Sequence, residues 1–276
     1  MKFHKMQGAA NDFVVIDGRE LTGVDWSARA IRACDRRVGV GADGILVLEH
    51  SGSDDFRMRY HNADGSVGEM CGNGIRCMAK FAIDIGATEK RELAWETGAG
   101  RVTTEVLEYG EGRTMVRADM GPPRFAPADI PVDVTGDDVR EAVFSVNGSQ
   151  LMLTCISMGN PHAVTFVDSV ADFPLERLGP EVEHHPAFPN RINFEIVEVI
   201  DPGHLRMRVW ERGVGETQAC GTGACAVAVA GQLVRQTNPE VEIDVPGGRL
   251  TVAWRPGANV LLTGPAETSF TGELAW

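Results

Sequence analysis

The chain repeats itself at a single spacing. Cys71 in "EMCGNGIRC" and Cys220 in "ACGTGAC" are 149 residues apart, and "RMRYHN", beginning at Arg57, is followed after the same 149 residues by "RMRVWE", beginning at Arg206. "GAANDFVV", with Asn11, stands at that offset before "MGNPHAVTF", with Asn160. Three landmarks in one order, without a gap, imply two related halves and so restrict the fold to one that a single half can adopt twice. Asn62 and Glu211 then hold equivalent places, each ending a strand ahead of a cysteine.

Within each half, alternation with period two dominates. Phe56, Met58 and Tyr60 point to one side of a strand, and Arg57, Arg59 and His61 to the other. Leu205, Met207 and Val209 are set against Arg206, Arg208 and Trp210 in the same way. Further strands are expected at 13–17, 45–49, 114–118, 150–156, 163–167, 193–199, 250–254 and 259–263. Helices are expected near 27–37, 74–85 and 221–234. The last, "GTGACAVAVAGQLV", is apolar on nearly every face and belongs inside a sheet structure rather than on one. The expected fold is α+β, with two pseudo-symmetric halves, each a curved, largely antiparallel sheet around a central helix, and an active site in the cleft between them. The proline-rich "GPPRFAPADIPVD" at 121–133 marks the connection. The expected halves are 1–118, rejoined by 264–276, and 119–263.

A formal charge of −13 leaves no general basic surface, which argues against nucleic acid and anionic membranes as partners. The N-terminal "MKFHKMQGAANDF" lacks an apolar signal core and no run is long enough for a membrane span, so a soluble cytoplasmic protein is expected. A reducing compartment would keep the six cysteines as thiols. Chemistry is therefore open to some of them.

In each repeat a cysteine precedes Gly-x-Gly and a helix. A tight glycine turn gathers backbone N–H groups, and the helix adds its positive end. A thiol there is expected to ionise more easily than a free one, and the same N–H groups can hold a carboxylate. Two such sites brought together could take a proton from one face of a carbon and return one to the other. Cys34, Cys77, Cys155 and Cys225 read as packing. Two alternatives stand beside proton transfer. A metal site would have to use C-x5-C and C-x4-C spacings, and a dithiol redox pair would need the two activated thiols to meet. A phosphate loop lacks its Gly-Lys-Ser/Thr ending.

Several segments together resemble the diaminopimelate epimerases, cofactor-independent amino-acid epimerases of lysine and peptidoglycan precursor synthesis. They are "GAANDFVVID" at 8–17, "GVGADG" at 39–44, "NADGS" and "MCGNGIRC" within 62–77, "SMGNPH" at 157–162 and "ERGVGETQACGTGA" at 211–224. The resemblance implies that Cys71 and Cys220 are the two catalytic bases. Cys71 would take the α-proton of L,L-diaminopimelate on the way to the meso form, and Cys220 would act in reverse. Backbone N–H groups of Gly72, Asn73, Gly221 and Thr222 would hold the reacting carboxylate. Asn11, His162 and Glu211 would lie near the reacting centre. Asn62, Asn160, Asn193 and Arg212 would read the distal amino acid. It also implies no cofactor and no metal, a small-molecule substrate and a homodimer. The four lysines, Lys2, Lys5, Lys80 and Lys90, sit in no pyridoxal-phosphate context. One departure is Gly44, where some family members carry a glutamine.

Overall fold

The computed structural model describes residues 1–110 and 112–275. The chain divides into two compact units, Met1–Asp119 with Thr263–Trp276, and Met120–Leu262.

The first unit runs β1 (Lys2–Gly8), β2 (Asn11–Asp17), α1 (Trp26–Cys34), β3 (Gly44–Glu49), β4 (Phe56–Asn62), β5 (Val67–Gly68), α2 (Gly72–Asp84), β6 (Glu92–Thr97), β7 (Gly100–Glu108) and β8 (Arg113–Asp119). The second continues with β9 (Ala142–Val146), β10 (Ser149–Ser157), β11 (Pro161–Phe166), α3 (Leu175–Glu183), β12 (Asn193–Asp201), β13 (His204–Glu211), β14 (Gly215–Thr217), α4 (Gly221–Val234), β15 (Glu240–Val245) and β16 (Gly248–Ala253), and β17 (Leu261–Glu273) closes the chain.

In the first unit β1 pairs with β2 and β17, β2 with β3, β3 with β4, β4 with β6, β6 with β7 and β7 with β8. Pairing of β8 with β17 closes the ring. α2 packs on β1, β2, β3, β7 and β8, and is buried continuously from Gly72 to Ala82. In the second unit β9, β10, β11, β12, β13, β15 and β16 pair in that order. α4 packs on β10, β11, β12, β15 and β16. Its Ala, Val and Gly side chains are short enough for the sheet to pack close around the helix on all sides.

The repeat read from the sequence is a repeat of structure. Phe13 pairs with Gly44 in a parallel ladder, and His162 pairs with Asn193 in another, both 149 residues further on. The alternation in β4 and β13 also holds, with one addition. His61 and Trp210 point outward but are covered, His61 by α1 and Trp210 by α3, where the glycine Gly179 leaves room for the indole ring.

Of the three expected helices, one stands at its expected bounds and two need adjusting. α4 spans Gly221–Val234, as the composition indicates. α2 begins at Gly72 rather than 74, because Cys71 already acts as its N-cap. α1 ends at Cys34 rather than 37, because the Asp35 carboxylate accepts from the N–H groups of Arg37 and Val38 at 2.7 and 3.0 Å and turns the chain out of the helix. α3 escaped the sequence reading because Gly179 and Pro180 lie within it; tertiary packing against β12 and β13 holds it in place. Strands β1, β5, β6, β7, β9, β14 and β15 are also not among the expected ones, and β17 runs on to Glu273, well past the expected 259–263.

Candidate functional site

Each unit contains a helix that starts at a cysteine. In the first, Cys71 has extended backbone angles and caps α2, its Sγ accepting from Gly74 N–H at 3.4 Å. The thiol donates to Asn11 Oδ1 at 3.5 Å, which also accepts from Asn73 Nδ2 at 3.3 Å. Asn11 Nδ2 in turn donates to Asp43 Oδ2 at 2.7 Å. Asp12, beside it, is gripped by Lys5 at 2.5 Å and by Arg36 at 2.8 Å. Deeper in the helix the buried Arg76 donates to Gly72 O and Asn73 Oδ1, both at 2.9 Å. Gly72 and Asn73 belong to the first turn, whose N–H groups have no acceptor within the helix and suit an anion. Asn62 lies at the end of β4 and donates to Ser66 Oγ at 2.9 Å, which shapes the turn after it.

In the second unit Cys220 caps α4, and Gly221 and Thr222 form the first turn. Cys220 Sγ lies 3.5 Å from Thr222 Oγ1. Thr222 Oγ1 accepts from Asn160 Nδ2 at 3.2 Å, Asn160 Oδ1 lies 3.0 Å from His162 Nε2, and His162 Nδ1 lies 2.7 Å from Glu195 Oε1. Thr217 Oγ1 donates to Glu211 Oε1, and Glu211 also shares a hydrogen bond with the Cys220 thiol. Burial raises the Glu211 carboxyl above its ordinary value, against the pull of Thr217. Asn193 is almost wholly buried; its Nδ2 donates to Pro161 O at 2.7 Å and its Oδ1 accepts from Arg212 N at 2.9 Å. The exposed Arg212 guanidinium donates to Asn190 O at 3.1 Å.

The thiol expectation is overturned at Cys220. Burial pushes this thiol well above its ordinary value, and the carboxyl groups of Glu211 and Glu195 push it further. The opposing hydrogen bonds from Thr222 and the Gly223 N–H do not make up the difference. A helix N-terminus favours a thiolate only to the extent that desolvation allows it.

Cys71, Asn11 and Asn73 form one connected group in the first unit, and Cys220, Thr222, Asn160, His162 and Glu211 form another in the second. Glu195, Asp43 and Thr217 escaped the sequence reading. Glu195 left one trace, an acidic side chain within the apolar stretch "INFEIV". Gly44 has no room for a side chain, because a Cβ there would meet His61 O at 2.5 Å and the Tyr60 ring at 2.7 Å.

The family model described as diaminopimelate epimerase matches residues 3–126 and 154–269. The chain belongs to the diaminopimelate epimerase family. Curated diaminopimelate epimerases from Cyanothece sp. and Carboxydothermus hydrogenoformans are each 47% identical, with 99% of each chain covered. That of Desulforudis audaxviator is 48% identical over the same shares. Among solved structures, a phenazine biosynthesis protein of the PhzF family from Bacillus anthracis matches with a TM-score of 0.71 at 20% identity, over 100% of this chain and 99% of that one. A hydroxyproline epimerase from Agrobacterium vitis matches at 0.69 and 16%, over 99% and 91%. At these identities the likeness shows a shared α+β fold.

Proposed function

We propose that this protein epimerises L,L-2,6-diaminopimelate to meso-diaminopimelate, a step in lysine and peptidoglycan precursor synthesis, and does so without a cofactor. The observation that carries the reading is that a member of this family begins two structurally repeated helices with a cysteine N-cap followed by Gly-x-Gly.

Cys71 and Cys220 are the two bases. In the L,L-to-meso direction Cys71 removes the α-proton as a thiolate, and the Cys220 thiol gives its proton to the other face of the same carbon. In reverse the roles exchange. An α-proton next to a carboxylate is a very weak acid, so the charge that develops must be met by groups already in place. The first-turn N–H groups of Gly72, Asn73, Gly221 and Thr222 serve there. Glu211 pairs with the reacting ammonium group, with Asn11 and His162 near the reacting centre. Asn62, Asn160, Asn193 and Arg212 read the distal amino acid, with Arg212 on its carboxylate. Among the described residues no helix is long and apolar enough to cross a membrane. The protein acts in the cytoplasm, as a homodimer.

Incubation of the protein alone with L,L-diaminopimelate in deuterium oxide tests this reading. The expected result is the meso product with deuterium at one α-carbon, and loss of turnover in Cys71→Ala and in Cys220→Ala. Full epimerisation by either variant would end the two-base mechanism, and exchange only into another amino acid would end the substrate assignment.

A further inference from the structure

The two cysteine-capped helices start alike, but the residues beneath them differ. At positions related by the 149-residue offset, the first unit has Phe13 on β2 and Leu46 on β3, and the second has His162 on β11 and Glu195 on β12. All four side chains are fully or almost fully buried. An apolar pair in one repeat is therefore a bonded imidazole and carboxyl in the other.

Gly74 and Gly223 are the matching third residues of the two helices. A Cβ on Gly74 would meet Leu46 at 3.2 Å. A Cβ on Gly223 would meet Glu195 Oε1 at 2.7 Å and Cys220 Sγ at 3.4 Å. The glycine thus brings a carboxyl oxygen close to the thiol, with no side chain between them. Glu195 Oε1 is also the atom 2.7 Å from His162 Nδ1, while Oε2 has no hydrogen-bond partner among the described residues. Burying such a group in a strand is costly, and a hydrocarbon there would pack at no such cost, as Leu46 does.

Building on the functional reading above, we infer that Glu195 is a positioning residue of the epimerisation. Its carboxyl group orients the His162 ring and, across Gly223, joins burial and Glu211 in holding Cys220 as the thiol, so that the two matched thiols enter the reaction in different states. The groups that face Cys220 are Glu195 from β12, Glu211 from β13, and Thr222 and the Gly223 N–H from α4 itself. Those that face Glu195 are His162 from β11, Cys155 from β10, Glu211 from β13 and Cys220. Two carboxyl groups thus act together on one buried thiol. In the first repeat Leu46 and Asn62 stand at the places of these two carboxyls. With the proton resident on Cys220, that residue is the acid of the L,L-to-meso direction, and Cys71 is left to be the base.

The test is alkylation of each cysteine in the ligand-free protein as a function of pH, read by peptide mass spectrometry and needing no turnover. Kinetics are measured in both directions on the same variants. In Glu195→Gln the midpoint for Cys220 labelling should fall by about one pH unit or more, while that of Cys71 stays in place. Its kcat should drop roughly 10- to 100-fold with little change in KM. Glu195→Asp, which keeps the carboxyl group, should keep the Cys220 midpoint and recover much of kcat. If Glu195→Gln does not fold, Glu195→Leu combined with His162→Phe transplants the apolar pair of the first unit and should lower the midpoint in the same way. An unchanged Cys220 midpoint in the folded variant, or an equal shift at both cysteines, overturns the inference. Wild-type protein without epimerase activity would instead overturn the functional reading and leave the labelling result legible.

Discussion

Gly223 and Glu195 are in contact across the space that a methyl group would occupy, since a Cβ on Gly223 would lie 2.7 Å from the buried Oε1. Replacing a glycine within a helix by alanine ordinarily gains about 1 kcal/mol. Here the carboxyl cannot retreat, because its other contact holds it to His162. Gly223→Ala should therefore destabilise the protein by about 1–3 kcal/mol. Gly74→Ala meets only Leu46 and Cys71 carbons at 3.2 Å or more and should change stability by less than about 1 kcal/mol. Thermal unfolding of the two variants gives the comparison, and equal losses would contradict it.

Thr217 matters through the carboxyl group it bonds. Its hydroxyl is the largest of the contacts that oppose the burial-driven rise of Glu211, ahead of His162 and the Cys220 thiol. Thr217→Val keeps the shape and removes the donor, so the carboxyl should rise further. If Glu211 serves as a carboxylate for the substrate ammonium, the acid limb of kcat/KM moves to higher pH. The expected loss is about 10-fold or more at pH 6, shrinking toward pH 9. A uniform loss at every pH would mean that the hydroxyl acts by packing alone.

The parts of this fold that were legible in the sequence are those set by local pattern or repetition. The offset of 149 residues, the strands around Phe56 and Leu205, and the bounds of α4 needed only spacing and composition. The two cysteine-capped turns were visible because glycine spacing is itself a local signal. The parts that stayed hidden depend on what packs over a residue. Glu195 is only one residue of the expected strand 193–199 until α4 covers it, and α3 is masked by the Gly179–Pro180 pair until Trp210 needs Gly179 beneath its ring. The state of Cys220 has the same origin. The dipole of a helix end can be read from sequence, but burial that outweighs it cannot.

The thiols should react in an order that separates chemistry from packing. Burial pushes Cys34 and Cys77 up to about 12, and Cys155 rises for the same reason. At pH 8 on the order of one such thiol in ten thousand is ionised, which is too little for alkylation on the scale of hours. Cys71 is only partly buried. Iodoacetamide at pH 8 should label Cys71 first, and should leave Cys220, which burial also pushes well above its ordinary value, unmodified together with Cys34, Cys77 and Cys155 until the protein unfolds. Peptide mapping against time decides this, and early labelling of Cys77 would contradict it.

Asp12 ties acid stability to the segment that holds Asn11. Burial alone would raise this carboxyl, but hydrogen bonds from Arg36 and Lys5 outweigh it and hold the group at about 2, below its ordinary 3.8. A depressed folded value means that the contribution is fully present above about pH 4 and is lost as the pH falls through 2. Because the group is partly open to solvent, its worth is about 1 kcal/mol rather than the larger figure that full linkage would give. Asp12→Asn should be less stable than the wild type by about that amount at pH 6, and the two should converge near pH 2. Urea unfolding at the two pH values measures the gap. A gap that stays constant with pH would assign the loss to altered packing and not to the charge.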